Sequence, residues 1–397
     1  MRAMNRHLLL LTFCQGMFLT NNVTFIAING LVGLALAPLG WMATLPVMGY
    51  VVGGALCAPL VARIQARYGR KRSFQIGLAV AALSAASCAY AAWTQQFWWL
   101  VGSTVSAGFY SANASLYRFA GPELVAESHK EKAISWVLAG GIVGAFIGPN
   151  LANATRDWLP VKFVGSYLSL IVAAALSFAA LWFIRFPEHR ASAPGERLGR
   201  PLAQIARQPQ FIVAVLGAAL GYGVMNLLMA ATPIAMQQCQ LPFSSTALVL
   251  EWHVLGMFVP SFFTGHLIKR FGAPPVMAVG VALNLVCVAV ALSGVELMQF
   301  LVALFTLGVG WNFLYIGGTT LLTGVYRHEE RTKVQGAMDT CVYATMTVTS
   351  FASGALVTTQ GWRWLNLGSL LPIATVALAL LWLAALRRRS AGLGVAP

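Results

Sequence analysis

Long apolar runs alternate with short polar breaks along the whole chain, and this pattern predicts twelve membrane-spanning helices. The runs cover about 8–35, 42–62, 73–93, 97–117, 133–155, 163–185, 209–232, 245–268, 275–294, 297–324, 334–358 and 364–386. Each is near the roughly 20 residues a helix needs to cross a bilayer. The first run follows Arg2 and Arg6 as in a signal peptide, but it is too long for one and leads straight into a second span, so it reads as a retained helix. The one long polar break, 186–208, holds Pro187, Pro194, Gly195, Gly199 and Pro201 and reads as a linker. The predicted class is therefore an all-α membrane protein built as two pseudo-symmetric six-helix bundles, 1–185 and 209–397, joined by 186–208.

Composition agrees with this pattern. The 397 residues are 58% hydrophobic and 9% charged, against about 25% charged in soluble domains. The formal net charge of +15 raises the question of a nucleic-acid partner. The cations lie between apolar runs with no accompanying aromatic-basic patch, which excludes that class. With the N-terminus inside, all but three of the 26 basic residues fall on inner segments, and only Arg156, Lys162 and Arg363 fall outside. This is the positive-inside bias, and it predicts a multi-pass protein of a bacterial cytoplasmic (inner) membrane with both termini cytoplasmic and attraction to anionic lipid. The six cysteines (14, 57, 88, 239, 287, 341) have no paired spacing and imply no disulfide framework.

The halves share a weak repeat. Ala62-Arg63-Ile64-Gln65-Ala66-Arg67-Tyr68-Gly69-Arg70-Lys71 follows span 2, and Gly265-His266-Leu267-Ile268-Lys269-Arg270-Phe271-Gly272 follows span 8. The first stretch resembles the signature loop of the major facilitator superfamily, Gly-x-Leu-x-Asp-Arg-x-Gly-Arg-Lys. Arg67, Gly69, Arg70 and Lys71 match, and the resemblance implies a gating role for Arg67, Arg70 and Lys71. Ala66 and Lys269 replace the family's Asp in the two copies. Gly140, Gly144, Gly148 and Pro149 in span 5 resemble a motif of proton-linked antiporters, but glycines four apart first predict close helix packing. The antiporters' span-4 arginine aligns with Thr104 here, which argues against that class.

Polar residues within the membrane are the candidates for function. Met225 and Met229 in span 7, and His253 and Met257 in span 8, each lie four apart and so share a helix face. Thioether and imidazole ligands suit Cu(I); core packing is the alternative use of methionine. Counted from the predicted outer ends of the spans, Met229 lies roughly 5 Å deep, Met225 roughly 10 Å, His253 roughly 12 Å and Met257 roughly 18 Å. This sets Met225 level with His253. Cys239, at the outer turn, is either a fifth copper ligand or an incidental thiol. Glu251 and Asp339 are the two acidic residues inside spans; for Glu251 the alternatives are proton relay or a bond to a neighbouring helix, and for Asp339 pairing with an Arg or Lys of an inner loop or proton coupling. Asn21 and Asn22 are expected to line the cavity, and Trp362-Arg363-Trp364 to anchor at the interface.

These Met/His pairs, with Gly310-Trp311-Asn312-Phe313-Leu314-Tyr315-Ile316-Gly317-Gly318-Thr319-Thr320-Leu321-Leu322 and Val334-Gln335-Gly336, resemble the CcoA-like bacterial copper importers. That branch of the superfamily also contains riboflavin transporters. The resemblance implies copper import by alternating access, copper as cargo rather than prosthetic group, a monomer, and a copper chaperone or oxidase-assembly protein as partner. Riboflavin import, a non-transporting copper receptor and a proton-linked drug exporter are the alternatives. No nucleotide loop or nucleophile-base arrangement points to an enzyme.

Overall fold

A computed structural model describes residues 5–126, 130–187, 199–327 and 330–392. The described residues form helices and no strands. The membrane helices are α1 (Arg6–Leu36), α2 (45–68), α3 (70–93), α4 (Phe97–Ala114), α5 (Lys130–Thr155) and α6 (Val164–Trp182) in the first half. The second half has α7 (Pro209–Gln238), α8 (243–271), α9 (Ala273–Ser293), α10 (Leu297–Thr323), α11 (Arg331–Thr359) and α12 (Gly361–Gly392). Ten helices are plainly long and apolar enough to cross a membrane. One of them, Gly40–Trp93, runs 54 residues and holds two crossings, because Gly69 breaks it with a φ of 76°. The 18-residue Phe97–Ala114 completes the twelve. An even number of crossings puts both chain ends at one face, here called the terminal face; the other is the distal face.

The duplicated signature loops fold alike. Gly69 adopts φ 76° and ψ 171°, and Gly272 adopts φ 88° and ψ 160°. An L-residue with a Cβ is strained there, which is why both copies keep glycine. The aspartate missing from the first copy has a stand-in from elsewhere. Arg70 is held bidentately by Glu123, at 2.6 and 2.7 Å, from the segment after α4. Lys71 donates to the Trp182 carbonyl at 2.7 Å, and Arg67 lies exposed over the ring of its neighbour Tyr68. In the second half Glu330 is fully buried and binds Arg200 of the linker through Nε and Nη2, at 2.8 and 2.7 Å. These charge-assisted bonds hold the Glu330 carboxyl far below the usual carboxylate range. Lys333 also donates to the Arg200 carbonyl. The predicted linker 186–208 is thus tied at Phe186, whose ring lies 5.8 Å from that of Phe74, and again at Arg200, while residues 188–198 lie outside the described ones.

The span-5 glycines pack, as their spacing predicts. A Cβ on Gly140 or Gly144 would overlap the Thr12 or Gly16 carbonyl oxygen, and one on Gly148 would sit 3.0 Å from that of Thr20. The four-residue steps on α5 match the four-residue steps on α1. Trp98, Trp158 and Trp364 are exposed near the distal ends of their helices and Trp182 near the terminal face, as aromatic belts require. Trp362, expected beside Trp364 as an anchor, is instead buried against Phe300 with ring centroids 5.1 Å apart.

Links between the halves cluster at the distal side. Thr44, fully buried, donates to the Ser350 carbonyl at 2.6 Å and accepts from the Gly354 amide at 3.0 Å. Asn150 donates to Glu251 at 2.9 Å, and Trp41 meets Phe351 edge-on at 5.8 Å. Phe163 meets Phe243 at 5.2 Å. The distal face is closed in this conformation.

Candidate substrate site

Where the two halves face each other, aromatic side chains of α7, α8 and α10 converge. Trp311 and Tyr315 lie one turn apart on α10 and stack, with centroids 5.3 Å apart and planes 8° from parallel. Tyr222 of α7 meets both edge-on, at 5.2 and 5.4 Å. Phe258 of α8 meets Trp311 at 6.2 Å. Trp311 is buried, yet its Nε1–H has no acceptor among the described residues. A buried indole N–H ordinarily finds a partner, so this wall presents an aromatic face and an unfilled donor.

Polar groups sit around this wall. Asn22 of α1 donates to the Tyr50 hydroxyl of α2 at 3.2 Å. Asn21 beside it is buried. Arg118, read from sequence as an ordinary inner-loop cation, instead lies close enough across the seam for its charge to act on Tyr315. Its charge acts on Asp339 of α11 as well. Asp339 is exposed, so it faces an accessible space rather than a packed helix contact. Glu251 bonds to α5 through Asn150, joining the halves.

The Met/His residues are all buried: His253 fully, Met225, Met229 and Met257 to within 8%. His253 Nδ1 lies 2.6 Å from the Leu304 carbonyl of α10. A carbonyl only accepts, so Nδ1 carries the proton and Nε2 keeps its lone pair; Nε2 is buried with no partner among the described residues. Asn312 donates to the Met257 carbonyl at 2.7 Å, and a Cβ on Gly308 would overlap the His253 carbonyl oxygen. The His253/Met257 turn therefore backs onto α10. The expected depths change because α7 continues past residue 232 to Gln238. Met229 is then roughly 14 Å and Met225 roughly 20 Å from the distal end of α7, and His253 roughly 15 Å and Met257 roughly 21 Å from that of α8. Met229, not Met225, is level with His253. Cys239 caps α7 half-buried; burial pushes its thiol up, away from the thiolate that binds metals.

Sequence reading missed the aromatic wall. Its parts come from residues 222, 258 and 311–315, and nothing in the local pattern says that these meet. The four-residue spacing of Trp311 and Tyr315 was the available signal.

Comparison with known proteins fits this architecture. The model of the Major Facilitator Superfamily matches residues 8–251 and 214–395. The riboflavin transporter RfnT of Brucella anthropi is 37% identical over 366 residues, covering 92% of each chain. The uncharacterized MFS-type transporter YdeG of Bacillus subtilis is 27% identical over 342 residues, covering 82% of this chain and 79% of the relative. Among solved structures, a mutant of the nucleoside transporter NupG superposes with a TM-score of 0.72 at 14% identity, covering 95% of this chain and 99% of that one. A bacterial homologue of the iron transporter ferroportin, in an inward-facing state, gives 0.70 at 14% identity, with 95% and 98% covered. Span pattern, duplicated loops and these likenesses agree: the chain is a multi-pass membrane transporter that belongs to the major facilitator superfamily.

Proposed function

We propose that this transporter imports a flavin of the riboflavin type across the bacterial cytoplasmic membrane by alternating access, its terminal face cytoplasmic. The observation that carries the reading is the 37% identity to a riboflavin transporter along 92% of both chains. The geometry supports it. A tricyclic ring needs flat aromatic partners, and the Trp311–Tyr315 stack with Tyr222 supplies them. A polyhydroxyl chain needs mixed donors and acceptors, and Asn22, Tyr50, Arg118 and Asp339 supply those nearby. The cation bias supports the orientation. The test is rescue of a riboflavin auxotroph at low external vitamin, with uptake of labelled riboflavin. Absence of uptake by well-expressed protein overturns the reading.

Cu(I) import is the second reading, and the partnerless buried Nε2 of His253 favours it. In this reading Met229 and His253 hold the ion first, and Met225 and Met257 hold it one turn deeper. Copper accumulation is measured with Met229→Leu and His253→Leu made separately at matched expression. Loss in both variants, in a protein whose wild type takes up copper but no riboflavin, would replace flavin by copper as the cargo. Normal accumulation in both removes the ladder.

A further inference from the structure

A second cavity, of about 560 Å³, lies at the distal face. It is separate from the aromatic wall and is lined by both halves. Gln95, Arg156, Lys162 and Phe163 come from the first half, and Gln237 and Phe243 from the second. Its volume falls in the range of small-molecule sites. Two features mark it as more than a gap. The distal segments carry three cations, Arg156, Lys162 and Arg363, and two of them line this cavity. Arg156 pairs with Asp157 at 2.5 Å and lies over the Phe243 ring at 5.9 Å; Lys162 is exposed and has no ion pair among the described residues. The second feature is strain. Among the described residues, the non-glycine positions with positive φ are Gln95 (56°), Phe163 (67°) and Gln240 (61°). Two line the cavity, and the third adjoins Leu241, which also lines it. Strained backbone of this kind gathers at ligand clamps and switches.

We infer that this cavity binds an amphiphilic organic anion from the distal side and thereby holds the distal face shut. The anionic head meets Lys162 and Arg156. The apolar body lies against Phe163, Phe243 and Leu31. Opening the distal face must part Phe163 from Phe243 and Asn150 from Glu251, and the walls of the cavity part with them. A ligand seated there binds the distal-closed state and not the distal-open one. By linkage it shifts the population toward the closed state and slows the transport cycle without occupying the substrate site. This inference does not depend on which substrate is carried.

The probe is 8-anilinonaphthalene-1-sulfonate, with the uncharged N-phenyl-1-naphthylamine as control. Both are titrated by fluorescence against the full-length protein in lipid nanodiscs. The sulfonate is expected to show a saturable component that Lys162→Glu weakens at least about tenfold, as for a lost charge-assisted contact. Lys162→Arg is expected to retain it, and the control probe to show no dependence on residue 162. Spin labels at Tyr68→Cys and Phe271→Cys, on the exposed loops of the two halves, report opening of the terminal face. For this measurement Cys57, Cys239 and Cys341 are replaced by serine. Saturating sulfonate is expected to shift the label distances toward longer values. Equal sulfonate affinity in wild type and Lys162→Glu, or unchanged label distances at saturation, overturns the inference.

Discussion

Replacing Trp311 separates the two things its side chain offers, a flat ring and an N–H. Trp311→Phe keeps a ring for stacking and removes the partnerless donor. In the empty protein that donor is buried at a cost of about 1–3 kcal/mol, so its loss offsets part of the smaller ring's packing deficit, and the melting temperature moves little. In the complex, the donor is expected to find an acceptor on the flavin ring, a bond with a net value of about 0.5–1.5 kcal/mol. Trp311→Phe should therefore weaken riboflavin about 2- to 13-fold. Trp311→Leu removes the stacking surface too. Base-on-aromatic stacking is worth about 1–3 kcal/mol, so the loss should grow by a further factor of about 5 to 150 over that of Trp311→Phe. Trp311→Leu also breaks three ring contacts, with Tyr315, Tyr222 and Phe258. At about 0.5–1.5 kcal/mol each, the fold itself weakens. Quenching of riboflavin fluorescence by purified protein gives the dissociation constants, and a thermal scan in the same detergent gives stability. The reasoning fails if Trp311→Phe and Trp311→Leu bind riboflavin as tightly as wild type while both remain folded.

Gly144→Val should destabilise the first half by about 1–3 kcal/mol, the usual cost of overpacking, because even a Cβ there lies 2.8 Å from the Thr20 amide nitrogen. A lower melting temperature together with normal substrate affinity in the surviving fraction is the expected pair of results. Glu330→Gln should free the linker near Arg200, seen as faster tryptic cleavage after Arg207 (Arg200 itself precedes Pro201), with little change in binding. The same bond sets a pH response. Glu330 has a folded pKa below its unfolded one, so its contribution is complete above the ordinary carboxylate range near 4.3 and is lost only as pH falls through the depressed folded value. Linker protection should therefore persist at pH 5; loss of protection between pH 7 and 5 would contradict the assignment. Thr44→Val removes the hydroxyl that bonds both Ser350 and Gly354, and should raise the labelling of a reporter cysteine at the distal seam.

The spans were legible because hydrocarbon thickness imposes a length on every crossing, and the glycine stripe of α5 because close approach tolerates only small residues at that spacing. Helix ends were less legible. Hydropathy marks where apolar sequence stops, but α7 keeps its hydrogen bonds to Gln238, and that shifted the register of Met225 and Met229 against His253. The pairings of Arg70 with Glu123 and of Arg200 with Glu330 were hidden because each partner lies many residues away in another segment. Arg118 looked like any inner cation, since its nearness to Tyr315 depends on how the chain after α4 lies against the seam. The Met/His spacing was visible and specific in form, yet spacing alone does not distinguish a soft-ligand ladder from a packed stripe backed by α10.

The bond between Arg200 and Glu330 changes what the covalent connection between the bundles can do. With Arg200 fixed to the second half and Ile184 and Phe186 packed on the first, the connection between the two anchors runs from Phe186 to Arg200. Its contour reaches at most about 50 Å at ~3.3–3.6 Å per residue, room for bundles that only tilt against each other. The tether then transmits no force between them. Timing of the transport cycle must rest on non-covalent contacts such as those of Thr44 and Glu251. A chain cut within 188–198 and expressed as two polypeptides is accordingly expected to reassemble and carry substrate, and copurification of the two pieces with retained uptake would show it.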